Sequence, residues 1–136
     1  MAKETGLSWA TASVDDSAGV VRAIVNDITS LDFGTPRGVQ DVTGINKSAF
    51  ERLLLLADFS VTLRGVFNDA VGLSHDVFKT VPSTDVARTT TLAVSGQTLV
   101  GEIRYTDYRL TRPITGELTW EAPGLLGDGT TPTWTP

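Results

Sequence analysis

The chain contains a single histidine, His75, and no cysteine. Any imidazole general base, Ser-His-Asp relay or histidine metal site must therefore use His75, and no thiolate can act as nucleophile or ligand. The run Ser74-His75-Asp76 has the residue types of a hydrolytic triad. Its spacing defeats that chemistry, because successive side chains on a helix point about 100° apart and cannot line up as nucleophile, base and orienting carboxylate. A capped surface helix is the ordinary reading of the same three residues.

Other constellations dissolve in the same way. Asp15-Asp16, and Glu117 with Glu121, are carboxylate pairs among 16 acidic residues. A catalytic pair needs one carboxyl in a cleft with a raised pKa, whereas charges on turns and strand faces are the common case. Gly127-Asp128-Gly129 lacks the lysine of a phosphate loop and the ligand series of a calcium loop, and reads as a tight turn. Asn46-Lys47-Ser48 matches a glycosylation sequon, a chance match without a secretory signal. Trp9, Trp120 and Trp134 would suit a sugar platform, but tryptophans in small β-domains are more often core or interface anchors, and Trp134 is assigned to an interface. The expectation is a protein that is not an enzyme, with no catalytic, cofactor or metal site.

What must position the remaining residues is one domain, since 136 residues leave little room for a second core. A net charge of −5 and a sequence pI near 4.7 argue against holding nucleic acid by neutralising phosphates. The first twenty residues hold Lys3 but no apolar core of the signal-peptide kind. The longest apolar run, Leu53 to Ala57, is too short to cross a bilayer. The expectation is a soluble protein made in the cytoplasm.

Gly and Pro punctuate the whole chain, and the short segments between them are rich in Val, Thr, Ile, Leu and Trp, which favours strands. Phe59 to Phe67 alternates most clearly, with Phe59, Val61, Leu63 and Phe67 on one face. Gly65 falls on that face, where it marks a bulge or the close approach of another backbone. Val86 to Val94, with Val86, Leu92 and Val94 inward, is joined through Ser95-Gly96-Gln97 to a strand from Thr98 through Leu99, Ile103 and Tyr105. Tyr108 and Leu110 then show the apolar face switching sides, which predicts a bulge near Thr106 or Asp107. Gly116 to Ala122 is expected to bury Leu118 and Trp120, and Leu7, Trp9 and Thr11 suggest a weaker strand. Val20 to Phe33 fits helical spacing as well as strand, and its β-branched content favours strand.

Leu73 to Val81 is the predicted helix, with Ser74 as cap, Asp76 in the first turn, Leu73 stapled to Phe78, and Pro82 as stop. Its stripe of Val77, Phe78 and Val81 would lie on a sheet. Asn46 to Arg52 suggests a further helical turn. Gly34 to Lys47 reads as a long loop, mobile in the monomer and ordered on assembly. The fold class is mostly β, an antiparallel β-sandwich or barrel with one short helix.

The order of several segments resembles the major tail tube proteins of long-tailed, siphophage-type bacteriophages. The matching pieces are Ile28 to Phe33, Val42-Thr43-Gly44, Ala57 to Asn68, the hairpin around Gly96, Glu117 to Trp120, and Gly127 to Trp134. Together they span roughly Val20 to Trp134. That resemblance implies a tail-tube-like fold over residues 1–136, with residues 1–6 and 127–136 as terminal interface arms. It implies rings of six subunits stacked into a hollow tube. A tape measure protein would fill the lumen, tail terminator and distal tail or baseplate proteins would meet its ends, and DNA would pass through without sequence-specific binding. Arg37, Asp41, Arg64, Arg112 and Trp134 become the expected inter-subunit contacts, and the virion tail the expected location. Two alternatives stay open: another ring-forming tail component such as a terminator or completion protein, and a monomeric β-sandwich module binding carbohydrate or peptide.

Overall fold

The computed structural model describes residues 3–7 and 9–136. The alternation at Phe59 to Phe67 becomes a central strand, Ser60–Val66, whose Val61, Leu63 and Gly65 face inward. It is the sixth of eleven strands among the described residues. The others are β1 (Thr11–Asp15), β2 (Val21–Ala23), β3 (Ile28–Gly34), β4 (Arg37–Asp41), β5 (Arg52–Ala57), β7 (Arg88–Val94), β8 (Gln97–Tyr105), β9 (Arg109–Thr111), β10 (Thr119–Leu126) and β11 (Trp134–Thr135). With Ser60–Val66 as β6, nine of them form one antiparallel sheet along the path β2-β1-β7-β8-β10-β6-β3, with β11 added to β8 and β9 to β10. Among the described residues, β4 and β5 pair only with each other.

The large sheet is rolled. Its two edge strands, β2 and β3, are separated in sequence only by residues 24–27, a short connection carrying one 3-10 turn at Val25–Asp27. A link this short cannot span the width of a flat seven-strand path, so the sheet must curl to bring the two ends near each other. Phe33 on β3 accordingly meets Trp9, which precedes β1, at 6.3 Å between ring centroids. Inside the roll lie Phe59, Val61, Leu63, Leu92, Leu99, Ile103, Tyr105 and Trp120, with Val77 and Phe78 covering them. Complete burial of each such side chain contributes roughly 1.5–3 kcal/mol, which makes this the main stabilising term.

Several local expectations hold. The β7–β8 turn is the two-residue Ser95-Gly96 connection, with positive φ at both positions (49° and 80°), the geometry that matches strand twist in a hairpin. Tyr105 lies opposite Gly124, and Arg109 opposite Glu121. Four steps on one strand therefore face three on the other, and the extra residue is the bulge expected near Thr106. Pro123 sits beside it, its carbonyl accepting from the Thr106 amide at 2.9 Å. A proline interrupts no ladder where the partner strand is already bulged.

Other expectations are corrected. The first strand begins at Thr11, not Leu7, which is fully in solvent; Ser8 lies outside the described residues. Val20 to Phe33 is strand as expected, in two pieces, β2 and β3, and only its continuity is corrected by the 3-10 turn between them. Leu118 is partly exposed just ahead of β10, which instead buries Trp120, Ala122 and Gly124. Val86 precedes β7 and is exposed, and the inward side chains of that strand include Arg88 and Thr90. Asn46 to Arg52 forms no helix: the chain turns through a Lys47 amide bond to the Gly44 carbonyl and enters β5. Gly34 to Lys47 is not structureless, since it supplies β4.

The helix α1 is short, Ser74–Phe78, and a separate 3-10 turn at Val81–Ser83 carries Pro82. Ser74 does not cap it. Leu73 occupies the cap position without a side-chain bond, and the buried Asp27 acts from 47 residues away, accepting from the Ser74 amide at 3.1 Å and from Asn68 Nδ2 at 3.0 Å. A carboxylate at these amides both satisfies a donor and complements the local dipole.

Candidate assembly interface

Four consecutive leucines on a strand place two on each face. In β5 neither face is covered, because β4 and β5 stand apart from the rolled sheet. Leu53, Leu54, Leu55 and Leu56 are 55%, 59%, 46% and 92% exposed, and Val39, Val42, Ile45 and Phe50 on the same hairpin are exposed as well. An apolar patch of this extent marks an interaction surface. The charged groups of the hairpin are engaged within it. Arg37 Nε donates to the Leu55 carbonyl at 2.8 Å, Asp41 accepts from the Thr43 amide and hydroxyl, and Arg52 lies 4.7 Å over the Phe50 ring. The Thr43 hydroxyl and amide hold the Asp41 carboxyl below its ordinary range.

At the base of the hairpin, Thr35, Arg37, Leu54 to Ala57, Thr131, Pro132 and Trp134 line an open groove of about 850 Å³. Trp134 is half-exposed there, its ring 6.0 Å from Phe33. The C-terminal segment that carries it is docked on its own chain, with Trp134 opposite Leu99 and Pro132 against Gly101. Met1 and Ala2 of the expected N-terminal arm lie outside the described residues.

The expected contact residues are therefore not one cluster. Arg37, Asp41 and Trp134 belong to the hairpin and its groove. Arg112 is exposed in the loop between β9 and β10. Arg64 lies on the outer face of β6, bridged within its own chain to Asp32 at 3.2 Å and Glu121 at 3.5 Å, while Arg109 joins Glu121 at 3.5 Å. That outer face is otherwise hydroxyl-rich, with Ser60 and Thr62 on β6 and Thr89 and Thr91 on β7, Thr89 donating to Glu102 at 2.6 Å. Sequence reasoning missed the β5 leucines as a surface. The run Leu53 to Leu56 was the available signal, but an apolar run reads equally as buried strand.

The residues suggestive of catalysis are dispersed. Ser74 is buried, His75 Nδ1 lies 3.1 Å from the Tyr108 hydroxyl, and Asp76 accepts from the Gly72 amide at 3.0 Å and pairs with Lys79 at 2.7 Å. Burial pushes the Tyr108 hydroxyl up to about 12. The tryptophans make no platform: Trp120 is in the core, and Trp9 and Trp134 each pack against Phe33. Among the described residues no group of three or more His, Asp or Glu could hold a metal ion.

No protein-family model and no curated protein matches the sequence. Among solved structures, the fold is similar to a chain in the tail of an empty gene transfer agent particle, refined with helical methods and C6 symmetry. The TM-score is 0.78 at 16% identity, covering 98% of this chain and 100% of that one. A chain of a native gene transfer agent virion is similar at TM-score 0.74 and 15% identity, with the same coverage. The rolled antiparallel sheet with one short helix is thus a tail-tube-like fold.

Proposed function

We propose that this protein is a structural subunit of a phage-like tail, six copies of which close into a ring and whose rings stack into a tube. The observation that carries the reading is the β4–β5 hairpin, apolar on both faces and, among the described residues, paired by strand bonds only within itself. It is joined by the likeness, over nearly the whole chain, to a subunit of a C6 tail. A lone two-stranded hairpin is marginal in water, so a partner chain is what gives this one a reason to persist.

On this reading the protein works in the virion after synthesis in the host cytoplasm, and its activity is assembly. A tape measure protein would occupy the lumen, and terminator and baseplate proteins would cap the ends. DNA would pass without adhering, because a ring of chains each carrying −5 repels phosphates. The siphophage tail tube is the specific assignment. The test is sedimentation and negative-stain microscopy of the purified protein across concentration. Hollow tubes of uniform width are the expected result, and a monomer at every concentration overturns the reading.

A further inference from the structure

On the outer face of the roll, one row of side chains crosses three strands. One step beyond the Val14–Thr90 pair, Asp15 of β1 meets Thr89 of β7, and Thr89 lies opposite Glu102 of β8. The Thr89 hydroxyl donates to Glu102 Oε1 at 2.6 Å, and the same hydroxyl lies against the Asp15 carboxyl. A threonine hydroxyl has one proton to give. With that proton committed to Glu102, what Thr89 offers Asp15 is lone pairs. Asp15 Oδ1 is sealed from solvent with no hydrogen-bond partner among the described residues. An ionised carboxyl there leaves two acceptors facing each other, whereas a protonated one supplies the missing donor itself.

Among the described residues no cation is bonded to either carboxyl of the row. On β2, Val21 stands opposite Asp15, and Arg22, on the other face by strand alternation, pairs with Asp16 at 3.1 Å. On β7, Arg88 reaches Asp15 from the inner face and donates to its main-chain carbonyl at 3.2 Å, not to the carboxyl. On β8, Arg104, which shares the outer face with Glu102, is bound to Asp85. Burial raises the Asp15 pKa above its ordinary value, the charges of Glu102 and Asp16 add to the rise, and the Thr89 hydroxyl and amide oppose it. Two carboxyls that compete for charge in this way bind their proton as a pair.

We infer that Asp15, Thr89 and Glu102 form one proton-binding row, the two carboxyls holding a single proton between them through the Thr89 hydroxyl, and that release of this proton loosens the pairing of β1 with β2. In the protonated row Asp15 donates to Thr89 and Thr89 to Glu102. When the proton passes to solvent, two carboxylates are left with one hydroxyl proton and repel across it. Asp15 is the last residue of β1 and its partner Val21 the first of β2, so that end of the pair is where the backbone can yield. A carboxyl raised by folding favours the folded state in its protonated form, so the pairing is tight on the acid side and slackens as pH rises through the Asp15 step. The row lies within one subunit and stands whether or not subunits assemble into a tail.

The test is carboxyl-carbon NMR of the dilute wild-type protein from about pH 3 to about pH 8. The Asp15 Cγ step is expected above the ordinary aspartate value, with Glu102 Cδ and the Val21 and Ala23 amides moving at the same midpoint. Glu102→Gln should shift the Asp15 step to lower pH. Thr89→Val, which keeps the shape and removes the hydroxyl, should retain that step and erase its echo at Glu102. An Asp15 step at or below the ordinary value, or a Glu102 carbon that ignores it, overturns the row in the wild-type protein alone, even if a variant fails to fold. An echo that survives Thr89→Val overturns the hydroxyl as the link, and amides that stay still through the step overturn the loosening of β1 from β2.

Discussion

Gly65 and the Asp27 carbonyl are in such close approach that a β-carbon built on Gly65 would lie 1.9 Å from the Asp27 oxygen and 2.9 Å from Trp120 Cε2. The obstacle is backbone, held by the pairing of Ile28 with Gly65, so it cannot swing aside as a flexible side chain would. Gly65→Ala is expected to cost about 3 kcal/mol, the upper part of the range for overpacking. Urea unfolding followed by Trp120 fluorescence reads it, and an unchanged midpoint would show that β3 can shift.

Arg88 is buried on β7 and, among the described residues, forms no ion pair with a carboxylate. Its guanidinium donates to the carbonyls of Val77 (2.9 Å) and Asp15 (3.2 Å) and to the hydroxyls of Thr80 and Thr84. Burial lowers its pKa, and these acceptors keep the cation in place, tying α1 to the sheet. Arg88→Met should cost about 3 kcal/mol, because it strands buried carbonyls. Hydrogen exchange should quicken first at Val77 to Lys79; loss of stability without local quickening there would show that Arg88 is not the tie.

Asp15 and Asp16 are neighbours displaced in opposite directions. Burial raises Asp15, whereas the Val20 amide, then the Ala18 amide and Arg22, lower Asp16. A carboxyl lowered by folding contributes stability above its unfolded pKa and loses it as pH falls through the folded value; one raised by folding has the reverse effect. Asp15→Asn should therefore raise the urea midpoint and Asp16→Ala lower it at about pH 7, both differences shrinking toward about pH 3. Same-sign changes at neutral pH would contradict the assignment.

Ser95 holds φ at 49° in the β7–β8 turn, a left-handed conformation that costs most residues about 1 kcal/mol and asparagine less. Ser95→Asn, giving the Asn-Gly pair this turn favours, should stabilise by about 0.5 kcal/mol. Thermal unfolding would register the gain as a raised midpoint, and a lowered one would mean that the turn is of another type.

The β4–β5 amides are expected to exchange rapidly in the dilute protein, close to the rate of an unstructured chain, and to become protected on assembly. Their ladder is one pair wide and no core lies beneath it. The amides of β6 and β8 supply the internal reference, since they should be slow in both states. Equal protection of β4–β5 before and after assembly would show the hairpin to be self-sufficient.

What the sequence determined by itself was local. Alternation located β6, the Ser95-Gly96 turn and the switch of face after Tyr105 announced a hairpin and a bulge, and the apolar position of Gly65 announced a close approach. Each is legible because it follows from neighbours a few residues apart. The tertiary structure decided everything that depends on distant pairing. Arg88 reads as a surface charge until four acceptors from other segments surround it, and Ser74 reads as a helix cap until Asp27, 47 residues away, takes that role. Above all, Leu53 to Leu56 has the composition of a core strand. Only the topology, which among the described residues pairs β5 with β4 alone, turns those leucines outward, because burial is a property of what packs against a strand and not of the strand.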